Sequence, residues 1–274
     1  MPKPLTRVQE FLERIVERLS GSVTDETLSN AIAPLNASIA QLSRKTIQFR
    51  HGKGTLTATA SGTNITWQYG WQQAQGGSCT FDVKSDNGLI CIDFDSITSL
   101  TVSDDAALKM CLSDLGGKIT NALGLSGCTS ITGDLSDLGG KITNFLSLYG
   151  CTNVTGDLSD LGGKITNTLN LVNCTNITGD LSDLGGKITN ILSLGNCTNI
   201  TGIYTGTTYP KMFTVSRTSI TAADMDANLI NFAASGVKSG KFTAAGMKRT
   251  AASDNAVATL VANGWAVSGL TKEG

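Results

Sequence analysis

Paired aspartates that recur along the chain are its most suggestive candidates for chemistry. The pairs are Asp134 and Asp137, Asp157 and Asp160, and Asp180 and Asp183. Such rows of carboxylates suggest calcium, but a hard cation needs six or more converging oxygens. Lysines recur with the same period, at Lys141, Lys164 and Lys187, and would neutralise the rows. We therefore predict no metal site and no cofactor.

The other residue types that support catalysis are scattered. The single histidine, His51, lies in a glycine-flanked linker, where we expect it to be solvated. No nucleophile elbow, phosphate-binding loop or metal-ligand cluster is present in the sequence. The chain is therefore predicted not to be an enzyme. A glycan-degrading site between subunits, which needs paired carboxylates in a cleft, stays open.

Four of the seven cysteines occupy equivalent positions, at Cys128, Cys151, Cys174 and Cys197. Zinc sites need ligand pairs only two to four residues apart, so this spacing argues against zinc. Neighbours in stacked strands would fall within disulfide range. Because cysteine is among the most buried residue types, we expect free buried thiols.

These columns belong to a 23-residue unit that begins at Lys118, Lys141, Lys164 and Lys187. The copies share the frame K-I-T-N-x-L-x-L-x-x-C-T-x-(I/V)-T-G, and the first three continue D-L-S-D-L-G-G. A unit of this size cannot bury its own apolar face, so copies must stack on one another. Leu100 and Leu108 indicate a degenerate copy before the first. The sequence predicts an α/β solenoid.

Differences between the copies concentrate on one side of a short strand. In the second copy, Leu146 and Leu148 point one way, while Phe145, Ser147 and Tyr149 point the other. The candidate ligand-face or receptor-face residues are Phe145, Ser147, Tyr149, Thr168, Asn170, Val172, Asn173, Ile191, Ser193 and Asn196. Two interpretations remain open: this exposed face binds a host-surface ligand or partner subunit, or its residues are simply free to drift.

Different patterns flank the repeats. Residues 1–46 carry a heptad seam of Leu5, Val8, Leu12, Ile15 and Leu19 followed by a second helix from Thr24. We predict that this region self-associates, the alternative being two helices packed on their own chain. Residues 47–99 alternate with period two and predict a small β module. Residues 100–206 hold the repeats.

Aromatic residues of the β module suggest one further site. Ile65, Trp67, Tyr69 and Trp71 alternate and are predicted to share one strand face. Two tryptophans on one face could form a carbohydrate platform, although aromatic residues at this period more often belong to a core.

Residues 207–274 predict an α/β cap. Met212–Val215 is expected to be a strand, and Thr221 to cap a helix that ends near Ala234. A second helix from Ser253 to Ala262 and a strand over Trp265–Val267 follow. Such a cap would close the open edge of a solenoid.

Composition excludes some functions. The formal net charge is −1, only 16% of residues are charged, and no basic stripe is present, which argues against a nucleic-acid partner. No apolar run is long enough to span a bilayer. The N-terminal segment is charged throughout, so we expect no export by an ordinary secretory signal.

The motif L-x-L-x-x-C-x-x-(I/V)-x-G resembles leucine-rich repeats over about residues 96–206. In that family, asparagine or cysteine after the strand bonds to the loop backbone. One departure lies in the return limb, because Ile165 precedes Leu169 by four residues where the family usually has three. The convex side is therefore expected to be irregular.

Both ends of the chain resemble phage proteins. T-G-I-Y-T-G-T-T-Y-P at 201–210 and S-D-N-A-V-A-T-L-V-A-N-G-W-A-V at 253–267 are similar to C-terminal caps of leucine-rich-repeat proteins of gut bacteriophages and prophages. The opening P-K-P-L-T-R-V-Q-E-F-L-E-R-I resembles an N-terminal motif of phage virion and fibre proteins. The β module is loosely similar to PKD-like modules.

This resemblance implies a structural virion appendage, a tail or head fibre, assembled in the host bacterial cytoplasm. Its expected partners are copies of itself, with a trimer favoured, other virion proteins through the N-terminal helices, and a host-surface glycan or protein. Neither nucleic-acid binding nor membrane insertion is expected. The alternative is a bacterial leucine-rich-repeat adhesin or interaction protein, which would need a secretion or anchoring signal.

Overall fold

The computed structural model describes residues 45–273 of the 274-residue chain. The predicted N-terminal helices, with their association seam of Leu5, Val8, Leu12, Ile15 and Leu19, lie outside the described residues. Within the described part, regular structure is mostly strands in parallel and antiparallel sheets, and helices are few.

A group of strands precedes the four sequence copies. It comprises β1 (Lys45–His51), β2 (Gly54–Thr63), β3 (Thr66–Tyr69), β4 (Gln72–Gln75), β5 (Ser78–Val83), β6 (Gly88–Phe94), β7 (Ser96–Thr101) and β8 (Leu108–Lys109), followed by the short helix α1 (Leu112–Leu115). Strands β4-β3-β6-β1-β8 form one sheet, while β7-β2-β5 end a ten-stranded sheet. Strand β7 spans the boundary predicted at residues 99 and 100.

Alternating burial in this region matches the predicted period of two. Phe81 and Val83 of β5 and Ile90 and Ile92 of β6 are all buried, and the intervening residues are exposed or half-buried. These side chains belong to one hydrophobic core that continues into the sequence copies. The β region and the copies therefore share their packing.

The predicted aromatic face is wrong at Trp71. Strand β3 ends at Tyr69, and Gly70, with φ of +56°, begins the hairpin turn to β4. Trp71 lies on that turn with 91% of its surface exposed, whereas Trp67 is fully buried and donates from Nε1 to the Gly76 carbonyl at 3.0 Å. The two tryptophans do not form a carbohydrate platform.

Each sequence copy contributes a strand to each of two parallel arrangements. The ten-stranded sheet takes β9 (Ala122–Gly124), β11 (Phe145–Ser147), β13 (Thr168–Asn170), β15 (Ile191–Ser193) and then β17 (Met212–Thr214). A four-stranded sheet takes β10 (Thr132–Asp134), β12 (Asn153–Asp157), β14 (Asn176–Asp180) and β16 (Asn199–Thr201). Each strand pairs with its equivalent in the next copy.

The register of the larger sheet follows the sequence period. Leu123, Leu146, Leu169 and Leu192 pair directly with one another across adjacent strands, and all four are fully buried. Leu100 of β7 pairs with Leu123 in the same way. The degenerate copy predicted from Leu100 therefore aligns one period before the first full copy.

Short 3₁₀ helices form the corner between successive strands of the copies, at Leu135–Leu138, Leu158–Leu161 and Leu181–Leu184. In the second copy, Asp157 caps the helix by accepting from the Ser159 amide at 3.0 Å, while Asp160 accepts from the Asp157 amide. Gly156, with φ of +117°, lies where an added Cβ would approach the Leu135 nitrogen to 2.6 Å. Glycine is therefore required at this close approach.

The C-terminal region extends the larger sheet. It contains helix α2 (Ala222–Ala234), β18 (Lys241–Arg249), a 3₁₀ helix (Ala251–Ser253), helix α3 (Asp254–Ala262) and β19 (Ala266–Lys272). The predicted cap at Thr221 is confirmed, since its side chain accepts from the Asp224 amide. Strands β17, β18 and β19 are parallel, so the cap continues the sheet instead of covering its edge.

Asp226 joins the two C-terminal helices. Its carboxylate is 5% exposed and accepts from the Thr250 amide, the Thr250 hydroxyl and the Ser253 hydroxyl at 3.0, 2.6 and 2.5 Å. Burial alone would raise the pKa of Asp226, but these hydrogen bonds and nearby Arg249 outweigh it and hold the pKa below its usual range.

We predict that Asp226→Asn lowers the free energy of unfolding at pH 7 by about 1.5–3 kcal/mol, the usual contribution of hydrogen bonds to a charged group. Because the folded pKa is lowered, this stabilisation is present above the unfolded pKa of about 3.9 and is lost as pH falls through the folded value. Urea unfolding at pH 7 and near pH 3 measures the difference between variant and parent.

The matched control is Asp86→Asn, which changes an exposed carboxylate in the turn after β5 and should leave stability unchanged. A loss for Asp226→Asn that is equal at both pH values, or that grows in acid, would contradict this role.

Candidate functional site

The candidate site is the outer face of the ten-stranded sheet, meaning the side chains that alternate with its buried leucines. In the second copy, Leu146 and Leu148 are fully buried, whereas Phe145 is half-buried and Tyr149 is 44% exposed on the opposite side. Strand register aligns equivalent residues of successive copies into rows across the sheet.

Three rows make up the outer face within the copies. The first row is Ala122, Phe145, Thr168 and Ile191; the middle row is Gly124, Ser147, Asn170 and Ser193; the third row is Ser126, Tyr149, Val172 and Gly195. The third row continues the ladder beyond the strands, because the Gly127 amide donates to the Tyr149 carbonyl and the Gly150 amide donates to the Val172 carbonyl. The candidates of the first, middle and third rows therefore lie together.

Several of the candidate ligand-face residues are less exposed than expected. Asn170, Val172 and Ile191 are half-buried, like Phe145. Ser147, Thr168 and Ser193 are only 3%, 5% and 8% exposed, so the prediction of an exposed position is wrong for these three. Short side chains on strands about 4.8 Å apart are covered by larger neighbours. Thr168, for example, lies between Phe145 and Ile191 in the first row.

The backbone conformation at Asn173 and Asn196 limits which residue types these positions accept. Their φ angles are +68° and +63°, and the equivalent Gly127 and Gly150 have +74° and +76°. Glycine and asparagine are the residues that adopt this left-handed conformation at least cost, which limits variation in the column to these two types. The side chains also pair, since Asn196 Nδ2 donates to Asn173 Oδ1 at 2.6 Å.

Several other polar side chains of the copies donate to backbone carbonyls of the preceding copy. The Asn153 amide group donates to the Thr129 carbonyl at 3.0 Å, and the Thr166 hydroxyl donates to the Thr143 carbonyl at 2.9 Å. Equivalent bonds recur at Asn176, Asn199 and Thr189. These groups hold neighbouring copies together and are not free for a ligand.

The repeated aspartates accept hydrogen bonds that hold the corners of the copies together. Asp134 accepts from the Ser136 hydroxyl and amide at 2.7 and 3.0 Å, and from the Thr155 hydroxyl of the next copy at 2.9 Å. These hydrogen bonds, led by that of the Ser136 hydroxyl, lower the pKa of Asp134. Within residues 45–273, no group of three or more histidine, cysteine, aspartate or glutamate side chains could hold a metal ion.

The recurring lysines do not neutralise those rows by direct contact. Among the described residues, the ion pairs involve Lys84, Lys248, Arg249, Lys272 and His51, and none involves Lys141, Lys164 or Lys187. The aspartate carboxylates instead accept hydrogen bonds from backbone amides and hydroxyl groups at the corners.

The cysteine column is buried and reduced, as predicted. Cys128, Cys151, Cys174 and Cys197 are free and fully buried. Each thiol donates to a backbone carbonyl of the preceding turn, as when Cys151 Sγ contacts the Leu125 oxygen at 3.1 Å. Burial raises the pKa of Cys128 to about 11 and those of Cys151 and Cys197 to about 12, and also raises the pKa of Cys174.

His51 is not the solvated loop residue expected from its glycine-rich surroundings. It is the last residue of β1 and is fully buried. Its Nε2 lies 2.8 Å from Asp105 Oδ2, and its Nδ1 lies 2.6 Å from the Gly52 carbonyl oxygen. The prediction was wrong because the strand continues through His51 to pair with β8, which the local sequence does not indicate.

Comparison with known proteins finds no family model, curated protein or solved structure that matches the chain. Over residues 45–273, no helix has the length and apolar character needed to cross a membrane.

We predict that iodoacetamide at pH 8 labels the native protein only at Cys91 and Cys111, the two half-buried cysteines. The other five are buried, so the reagent does not reach their thiols. Burial raises the pKa of Cys91 as well as those of the five, so accessibility and not pKa separates the two groups. Peptide mass spectrometry identifies the labelled residues. All seven should react in urea, and labelling of native Cys151 or Cys174 would contradict the packing described here.

Proposed function

We propose that this protein is a structural subunit of a bacteriophage virion appendage, a tail or head fibre, that presents the outer face of its sheet to the host surface. The four copies would form a leucine-rich-repeat-like solenoid, with the N-terminal segment joining chains into a trimer and attaching them to other virion proteins. In this proposal the protein performs no catalysis, binds no nucleic acid and does not enter a membrane.

One observation carries the proposal. Variation between the copies falls largely on the outer face, above a frame of leucines that does not vary. Phe145 and Tyr149 stand on the opposite side of the strand from the invariant Leu146 and Leu148. A surface that differs from copy to copy while the frame is fixed is what a recognition surface on a rigid scaffold requires.

The resemblance of both chain ends to phage proteins supports the virion assignment. It accounts for the charged, amphipathic N-terminal segment as an attachment and association element. It is also consistent with a chain rich in structural hydrogen bonds between copies. The alternative is a bacterial adhesin with the same outer face, and the experiment must distinguish it from the phage fibre.

We predict that the full-length protein is a trimer in solution and binds the surface of its host bacterium. Phe145→Ser combined with Tyr149→Ser should reduce that binding by at least about tenfold, because aromatic anchors dominate recognition surfaces. Sedimentation equilibrium gives the mass, for which three chains of 28.5 kDa are expected. Flow cytometry of fluorescently labelled protein on a panel of gut bacterial strains gives the binding.

The matched control is Trp71→Ser, which removes an aromatic side chain that lies outside the outer face and is 91% exposed. It should leave cell binding unchanged. Binding to no strain of the panel, or binding that is equal for the double variant and its parent, would refute the receptor-face proposal. A monomer would favour the adhesin over the fibre.

A further inference from the structure

The single histidine of the chain lies where the β region meets the first sequence copy. His51 ends β1, and the joint loop (residues 103–107) connects β7 with β8. On one side this loop is tied to the first copy, because the Asp104 amide donates to the Ser126 carbonyl at 2.7 Å. On the other side it is tied to the end of β1.

A closed ring of contacts joins the end of β1 to the joint loop. The Gly52 amide donates to the Ala107 carbonyl at 2.8 Å, and the Ala107 amide donates to Asp105 Oδ1 at 3.0 Å. Asp105 Oδ2 lies 2.8 Å from His51 Nε2, and His51 Nδ1 lies 2.6 Å from the Gly52 carbonyl oxygen. Each group in the ring therefore holds the next in place.

Both nitrogens of the His51 ring face groups that only accept hydrogen bonds. Neither a backbone carbonyl nor a carboxylate has a hydrogen to donate. A neutral imidazole carries one N–H and one bare nitrogen, so it satisfies only one of these two contacts, whereas the imidazolium satisfies both. Because an imidazole holds a proton more tightly than a carboxylate does, the proton between Nε2 and Asp105 belongs on the ring.

Burial makes this second proton important. The side chains of His51 and Asp105 are 1% and 11% exposed, so little water is available to replace a lost partner. Without the second proton, one ring contact would bring a bare nitrogen against an oxygen at 2.6 or 2.8 Å. Removing one partner of a buried charge pair is strongly destabilising.

Among residues 45–273, the one ion-pair partner of His51 is Asp105. The neighbouring elements carry other titratable or charged groups, and none of these forms an ion pair with the ring. They are Arg50 on β1, Lys53 after it, Tyr69 on β3, Asp86 before β6, Asp104 in the joint loop, Lys109 on β8, Asp114 on α1, Cys111 before α1, and Cys128, whose thiol lies near the Asp105 backbone.

We propose that His51 and Asp105 form a pH-dependent latch between the β region and the first copy, closed while the ring is doubly protonated. Loss of one ring proton weakens the latch on the β1 side of the joint loop. The bonds of the loop to the first copy, such as that from the Ser130 hydroxyl to the Ala106 carbonyl at 2.9 Å, contain no titrating group. Because protonation closes the latch, its contribution to stability is lost as pH rises through the titration of the native ring.

The first test measures the ring directly, since the chain has one histidine. Magic-angle-spinning NMR of full-length protein labelled with ¹⁵N in its histidine ring distinguishes an N–H from a bare nitrogen. At pH 7.5 a solvated histidine is about nine-tenths neutral, but both nitrogens of His51 are expected to be N–H. A bare nitrogen should appear only at higher pH. A mainly neutral ring at pH 7.5 would overturn the proposal.

The second test uses Asp105→Asn, which gives the neutral ring a partner. The asparagine oxygen replaces Oδ1 as acceptor for the Ala107 amide, and its NH₂ group donates to a bare Nε2. The variant ring is therefore expected to be neutral at pH 7.5. Hydrogen exchange, followed by mass spectrometry of a peptide covering residues 103–109, compares parent and variant at equal pH. The parent-to-variant ratio of exchange rates should rise about tenfold or more from pH 6 to pH 9, because only the parent loses a hydrogen bond to a charged group.

The matched control is Asp104→Asn, which changes the neighbouring exposed carboxylate of the same loop. Its φ of +55° is one that asparagine adopts readily. This control should match the parent in both measurements. A parent-to-variant ratio that does not change with pH, or a control that behaves like Asp105→Asn, would overturn the latch. If Asp105→Asn does not fold, the ring spectrum of the parent still decides.

Discussion

Burial of two leucine columns in direct register is the interaction on which the rest of this structure depends. Leu123, Leu146, Leu169 and Leu192 form one column, and Leu125, Leu148, Leu171 and Leu194 form the other, all fully buried. Each side chain contributes about 1.5–3 kcal/mol by leaving water, whereas a hydrogen bond contributes about 0.5–1.5 kcal/mol net. Apolar burial therefore sets the register, and the polar groups adapt to it.

Given that register, equivalent polar groups in neighbouring copies come within bonding distance at fixed positions. Cysteine thiols, threonine hydroxyls and asparagine amides each bond to the preceding turn, and Asp134 bonds to the next copy through Thr155. These bonds are repeated because the leucine spacing is repeated. The outer rows are the part of each copy that neither packs in the core nor bonds to a backbone corner, and so they can differ between copies.

Much of the copies was predictable from sequence because their period is visible in it. The inward leucines and the buried thiols follow from local pattern and residue chemistry. The burial of Ser147, Thr168 and Ser193 was not predictable, since it depends on which larger side chains stand on the adjacent strands. The positive φ at Asn173 and Asn196 was predictable, because this column of the copies holds only glycine and asparagine. The sequence interpretation instead assigned both residues to the ligand face.

Outside the copies, prediction failed at one tight turn and at places where long-range strand pairing decides the outcome. His51 is buried because β8, more than fifty residues later, pairs with the end of its strand. Trp71 is exposed because a turn at Gly70 ends the strand before it. The continuation of the sheet into β18 and β19 likewise depends on pairing that no local pattern indicates, and it lengthens the middle row by Thr214 and Thr243.

The central claim is that the buried frame determines the fold while the outer rows are free to change. Denaturant unfolding of a variant with exchanged outer residues tests it most directly: Tyr149→Val together with Val172→Tyr, at positions that are exposed and half-buried, respectively, on the outer face. The free energy of unfolding of this variant is expected to lie within about 0.5 kcal/mol of the parent's, as for surface changes. A loss above about 2 kcal/mol, comparable to truncating a buried leucine, would contradict it.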